Sequence, residues 1–198
     1  MTLGKQAKVI SPEQERGVLN YLATTRWSVR DTAMFLASVK AGLRAKEIAD
    51  LRWRMVLDSD GKLGECIQLE NGASKGKSGG RSIPMNRDLK KALQRLSEVD
   101  RVVYLKPNLA VFQSERGGSM DNKTIAKWFL SLYQKLGMQG CSSHSGRRTF
   151  ITRTARKVSE VGGSLRDVQE LAGHASLAMT QRYIEGDSMA KRKLVDLV

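Results

Sequence analysis

Along most of this chain the apolar residues recur at helical spacing, and only between Cys66 and Met85 does that period lapse. There Cys66-Ile67-Gln68-Leu69-Glu70 alternates as a half-buried strand does, and Arg81-Ser82-Ile83-Pro84-Met85 reads as its partner. The stretch between them is rich in Gly, Ser and Lys, which predicts a turn. Helical spacing covers the rest. Ser11-Pro12-Glu13-Gln14 has the form of a helix start, with a capping serine, proline at the first helical position and a capping-box glutamine. A second helix is predicted from Ser28 to Gly42 and a short third from Ala45 to Trp53. Further helices are predicted over 87–97, 122–136, 145–158, 165–172 and 177–184, with a short one from about 188. The fold class is mostly α with a small antiparallel β-sheet, an α+β arrangement without internal repeats.

The 198 residues suffice for one domain with a sizeable core. No apolar run approaches the roughly 20 residues that span a bilayer, and the start MTLGKQAKVI has no apolar signal region. Cys66 and Cys141 lack metal-ligand spacing and read as reduced thiols in a cytosolic chain. Charge says more. Lys and Arg number 34 against 20 acidic residues, a net of +14, far beyond what solubility requires. Such a balance points to nucleic acid as partner, and no basic helix carries the bulky aromatic face that a membrane surface would need.

Only two histidines occur in the chain. One stands in LAGHASLAMTQRYIEG, where Gly173 ends an apolar helical run, His174 falls at a helix junction and Ser176 can cap the next helix. Tyr183 follows nine residues after His174, with Thr180 three before it. On its own this is an ordinary helix pair with a half-buried tyrosine. The second histidine lies in CSSHSGRRTFITRTARK, three residues before Arg147, so both side chains project from one side of a helix's first turn. A helix start presents free N–H groups and partial positive charge, which suits a phosphate oxygen. Arg148, Arg153, Arg156 and Lys157 extend the segment into a basic strip.

A third segment, ASVKAGLRAKEIADLRW, completes a pattern. Gly-Leu-Arg-x-x-Glu, a hairpin with a lysine-bearing turn, H-x-x-R and G-H-(x)8-Y follow in that order from about Arg30 to Glu185. Each box alone is common; together they closely resemble the tyrosine recombinase, or phage integrase, family. The resemblance implies that Tyr183 is the nucleophile attacking a DNA phosphate. It implies that Arg44 and Arg147 clamp the non-bridging oxygens, with Glu47 supporting Arg44. His144 matches the histidine that assists proton transfer, and His174 the position that hydrogen-bonds the phosphate. The catalytic lysine belongs on the hairpin turn, where Lys75 is favoured and Lys77 stands close behind. Lys77, Arg81, Arg148 and Arg153 are expected to contact DNA. Gly146 departs from the pattern, since many members have leucine there.

The chemistry fits those residue types. A phosphodiester must be approached by an anionic nucleophile, and its transition state gathers charge on oxygen. Two guanidiniums offer always-charged, bidentate donors that lysine cannot replace geometrically. Tyrosine, with a free pKa of about 10, needs a base or a strongly positive site near neutrality. The leaving 5′ oxygen needs a proton, which the hairpin lysine can donate. The sequence has neither an acidic cluster with metal-ligand spacing nor a G-x-x-x-x-G-K-[ST] loop. The expectation is therefore no metal and no cofactor.

In organisation the chain resembles the short members of the family, such as the phase-switch invertases. It is expected to be a single catalytic domain over 1–198 without a separate N-terminal core-binding domain. Residues 187–198 are expected to form a tail helix exchanged between protomers. The implied partners are double-stranded DNA, further copies in a tetramer on DNA (a monomer when free), and accessory DNA-bending proteins. The expected setting is bacterial or phage-encoded, cytoplasmic and nucleoid-associated. Two alternatives stay open at this level: a type IB topoisomerase, and a DNA-binding regulator that has kept the fold without catalysis.

Overall fold

Helix α1, Pro12–Ala23, begins where the sequence signals it. In the computed structural model, which describes residues 6–70, 80–99, 106–183 and 195–196, the Ser11 side chain accepts from the Gln14 N–H at 3.2 Å. The Gln14 side chain in turn accepts from the Ser11 N–H at 2.9 Å, closing the capping box. Helix α2, Ser28–Ala41, is the most buried of the helices, with Ala33, Met34, Phe35 and Ala37 fully enclosed. It packs against α1, against the short α3, Ala45–Asp50, and against α4, Arg87–Val99. Helix α5, Asn122–Lys135, is capped by Asp121, whose side chain accepts from the Thr124 N–H, and it packs on α3. Trp53, Phe35, Phe112, Phe129 and Tyr133 are the largest enclosed side chains. Burying an aliphatic or aromatic side chain of this kind contributes about 1.5–3 kcal/mol relative to exposure.

The predicted hairpin forms. Strand β1, Cys66–Leu69, pairs antiparallel with β2, Arg81–Pro84, in the register Ile67 opposite Ile83 and Leu69 opposite Arg81. Ile67, Leu69 and Ile83 face inward while Gln68, Ser82 and Pro84 are exposed, the alternation that the sequence showed. Arg81 keeps to it in position, largely buried opposite Leu69 although charged, as described below. The turn between the strands, including Lys75 and Lys77, lies outside the described residues.

Two helix ends differ from expectation. The third helix stops at Asp50 rather than reaching Trp53. Leu51 turns extended, Arg52 pairs with Ala110, and the Trp53 N–H donates to the Leu109 carbonyl at 3.1 Å. Long-range pairing claims backbone groups that a longer helix would have used, and a 3-10 turn over Trp53–Met55 follows. Helix α8, Leu177–Gln181, likewise ends before Tyr183.

The chain divides into two compact units, Met1–Phe150 and Ile151–Val198, the boundary falling within helix α6, Ser145–Lys157. The second unit contains a 3-10 turn, Val158–Val161, then helix α7, Leu165–Ala172, which packs against α8. Val168 and Ala172 of α7 are fully enclosed. The predicted tail helix over 187–198 lies outside the described residues apart from Val195 and Asp196. No helix among the described residues is long and apolar enough to cross a membrane. Both cysteines are free thiols, Cys141 buried and Cys66 partly so.

Candidate active site

The Gly-Leu-Arg box is built by the end of α2. Gly42 ends the helix in the left-handed region, φ +64°, which a residue with a side chain enters only at a cost. Space closes the position as well: a Cβ there would stand 2.4 Å from Cδ1 of Phe150. The turn sends Leu43 into the core and leaves Arg44, with extended backbone, at the N-terminus of α3. The spacing Arg44-x-x-Glu47 is then that of a residue capping the helix it opens. Glu47 accepts the Arg44 N–H at Oε2, 2.7 Å, and the Arg44 Nη1 at Oε1, also 2.7 Å.

A second guanidinium shares that carboxylate. Arg81 of β2 donates Nη2 to Glu47 Oε2 at 3.0 Å. Its side chain is only 10% exposed, against 26% for Arg44 and 1% for Glu47. Burial pulls the Arg81 guanidinium below its usual range; the Glu47 charge opposes that shift and the Arg44 charge adds to it. Arginine nevertheless stays charged in proteins. Two guanidiniums thus share one buried carboxylate, with Arg44 keeping partial access to solvent. Low dielectric at such a place magnifies the attraction of a guanidinium for an anion.

Helix α6 supplies the other arginine. The Arg147 side chain donates Nη1 to the Gly42 carbonyl oxygen at 2.7 Å, and the residue is 3% exposed. Thus Gly42 serves both boxes: its backbone angle aims Arg44 and its carbonyl orients Arg147. His144 stands just before α6 and is exposed, its N–H donating to Ser142 Oγ at 3.3 Å. The H-x-x-R spacing therefore separates the pair by burial, one side chain drawn in and the other left at the surface. Gly146 has a steric reason to be glycine, since a Cβ there would meet Ser38 Oγ at 2.2 Å. Arg148 is partly exposed and donates to the Gln6 side chain.

In the second unit the histidine and tyrosine come together. Gly173 ends α7 with φ +59°, as expected of a helix stop. His174 is then pinned through its backbone, its N–H donating to the Gln169 carbonyl at 3.1 Å and its own carbonyl accepting Gln169 Nε2 at 3.0 Å. The imidazole Nδ1 lies 2.9 Å from Thr180 Oγ1, and the ring stacks on Tyr183 with centroids 5.3 Å apart and planes at 24°. Tyr183 sits just past α8, its carbonyl accepting from Thr152 Oγ1 at 3.4 Å. Ser176 does occupy the cap position of α8, but its side chain makes no capping hydrogen bond. Arg153, in the same unit, is partly exposed on α6.

Sequence reasoning had put Arg81 among the DNA contacts and left Thr180 without a role. The partnership of Arg81 with Glu47, 34 residues away, carries no local signal. Thr180 lies six residues after His174, a spacing that matters only because a junction intervenes. The other tyrosine considered, Tyr133, is 1% exposed, and burial pushes its phenol far above the usual range.

A mostly helical domain with one antiparallel hairpin, an arginine at a helix start and a histidine stacked on a tyrosine define a class. It is the class of tyrosine recombinase catalytic domains. The fold is that of the XerA recombinase crystal structure, with a TM-score of 0.74 at 27% identity, over 97% of this chain and 65% of that one. It is also that of the Tn1549 transposon integrase in complex with transposon right end DNA, at a TM-score of 0.73 and 21% identity. That match covers 98% of this chain and 65% of the integrase chain. Residues 8–189 match the phage integrase family, and the chain belongs to it. Tyrosine recombinase XerC of Proteus mirabilis is 33% identical over 170 residues, 85% of this chain and 52% of the relative. The chain spans about half the length of the curated relatives it matches.

Proposed function

We propose that this chain is a site-specific DNA recombinase that cuts and rejoins strands through a 3′-phosphotyrosyl intermediate, without metal or ATP. The Tyr183 Oη attacks the scissile phosphorus, the bond to the 5′ oxygen breaks, and that oxygen leaves as a hydroxyl after taking a proton. Arg44 and Arg147 bind the non-bridging oxygens, where charge gathers as the phosphorus becomes five-coordinate. Interactions of this type commonly supply the largest single share of a rate enhancement. His174 hydrogen-bonds the phosphate, His144 assists proton transfer, and Lys75, or Lys77 beside it, protonates the leaving group. The covalent intermediate conserves the bond, so a 5′-hydroxyl from a second duplex can reverse the step and exchange strands.

The observation that carries this reading is the stacking of His174 on Tyr183, half-buried and not sealed in a core as Tyr133 is. The net charge of +14 supports double-stranded DNA as substrate, with Lys77, Arg81, Arg148 and Arg153 contributing contacts to it. Arg81 does so beside Arg44, with which it shares the Glu47 carboxylate. Assembly follows the family pattern in this proposal: monomers when free, a tetramer on paired sites with the 187–198 segment linking protomers, and DNA-bending accessory proteins. The bacterial relatives support a bacterial setting, within which nucleoid association is part of this proposal. The test is incubation with nicked duplexes drawn from the sequences flanking the gene. A protease-sensitive adduct on the 3′ phosphate, formed without added metal, is expected. Strand cleavage that leaves no protein attached to DNA would overturn the proposal.

A further inference from the structure

Thr180 presents a problem of proton accounting. A threonine inside a helix ordinarily turns its hydroxyl to the carbonyl three or four residues back. Here Oγ1 instead lies 2.9 Å from Nδ1 of His174, and the residue is completely enclosed. Among the described residues the imidazole nitrogen is the sole side-chain partner of that hydroxyl. A buried hydroxyl that fails to donate its proton costs about 1–3 kcal/mol, so native structures rarely leave one in that state. A hydroxyl facing a ring nitrogen satisfies both groups in one way only: the O–H donates and Nδ1 accepts. Neutral imidazole carries a single N–H, which must then sit on Nε2. The opposite tautomer, and the imidazolium, both put a proton on Nδ1 and strand the threonine's.

We propose that Thr180 is a positioning residue that locks His174 in the tautomer protonated at Nε2, so that the ring offers a hydrogen-bond donor and not a base. The backbone clamp from Gln169 holds the residue, and stacking on Tyr183 holds the ring plane; neither selects which nitrogen carries the proton. Thr180 makes that selection. The consequence for catalysis rests on the recombinase reading: a ring committed to donating at Nε2 can bind a phosphate oxygen but cannot take the Tyr183 proton there. That deprotonation falls to another group, or to the positive field of the arginines.

The test is nitrogen NMR on the ¹⁵N-labelled full chain above neutrality, where free imidazole is uncharged. Long-range correlations from ring carbon-bound protons report which nitrogen is protonated. With two histidines in the chain, His144→Gln leaves the His174 signals alone in the spectrum. Wild type and Thr180→Ser are expected to show Nδ1 bare and Nε2 protonated. Thr180→Val, which keeps the shape and loses the hydroxyl, is expected to shift both nitrogens toward the averaged positions of exchanging tautomers. Trapping of nicked DNA is expected to fall roughly tenfold to a hundredfold in Thr180→Val, the scale on which groups that fix an imidazole's tautomer act, and to return in Thr180→Ser. A protonated Nδ1 in wild type, or unchanged ring signals in Thr180→Val, overturns the inference even if wild type traps DNA. The expected spectra with no trapping by wild type support the tautomer lock and count against the recombinase reading instead.

Discussion

In the first unit an ion-pair cluster holds two of the candidate side chains; in the second the contacts described are neutral hydrogen bonds and a ring contact. Arg44 and Arg81 share the Glu47 carboxylate, and Arg147 leans on a carbonyl oxygen. His174, by contrast, has the Gln169 amide, the Thr180 hydroxyl and the Tyr183 ring. The difference suits the roles proposed for each group. A guanidinium that binds an anion must stay charged while partly dehydrated, and a nearby carboxylate or carbonyl makes that tolerable. A histidine proposed to donate to a phosphate oxygen and a tyrosine proposed to attack the phosphorus need, above all, to be held in orientation. The neutral contacts named above orient them.

The contrast can be broken most severely at its nucleophile. Tyr183→Phe is expected to bind DNA as wild type does and to give no covalent adduct, read by denaturing gel after protease treatment. An adduct from that variant would transfer the role to another residue. Next in size come Arg44→Lys and Arg147→Lys, which keep charge and lose the planar fork. Each is expected to cost about 2.7–4 kcal/mol of transition-state stabilisation, a hundredfold or more in cleavage. Cleavage near wild type with weakened binding would make them ordinary backbone contacts.

Removing the shared carboxylate tests whether charge holds the first unit together. Glu47→Gln leaves two guanidiniums with a neutral partner and is expected to lower stability by roughly 3 kcal/mol. That is the low end of the cost of breaking a buried pair, because Arg44 is 26% exposed. Urea unfolding reads it, and an unchanged midpoint would show that the cluster is stabilised by something other than the ion pairs. Gly42→Ala has a smaller expected effect on stability, about 1–2 kcal/mol for the left-handed backbone, plus whatever shift Phe150 needs. Its cleavage should fall further than its stability, since Arg147 depends on the same residue's carbonyl. Equal losses in both would separate Gly42 from the site. Smallest of all, Tyr133→Phe removes a buried hydroxyl that has no partner among the described residues. Stability is expected to stay level or rise slightly, with adduct formation intact. A loss of adduct there would reverse the assignment of the two tyrosines.

What could be read in advance was whatever short-range chemistry decides. The Ser11 capping box, the glycine stops at 42 and 173 and the alternation of Ile67 with Gln68 all act within a few residues, and all formed where expected. Helix ends set by distant backbone did not follow the pattern: Trp53 left helical geometry because Leu109 offered its carbonyl. The same division runs through the site. The pairing of Arg44 with Glu47 was implied by the family resemblance, and it forms within one helix start. The Arg147 contact with Gly42 joins residues 105 positions apart, and the Arg81 contact with Glu47 joins residues 34 apart; composition and periodicity encode neither partnership. Resemblance to a family supplied the roles of the residues, while the partners that orient them came from the fold.

The contact between Ser38 and Gly146 has a consequence for anyone building chimaeras. With 2.2 Å between the serine oxygen and a Cβ at position 146, that position admits no side chain unless the serine or its helix gives way. A donor segment with leucine at that position would meet this contact directly. Transplanting such a segment alone, residues 141–157 for instance, would force α2 outward and displace Gly42, which lies four residues beyond Ser38. A working graft has to carry position 38 with it, so these two sites form one inheritable unit although more than a hundred residues separate them along the chain.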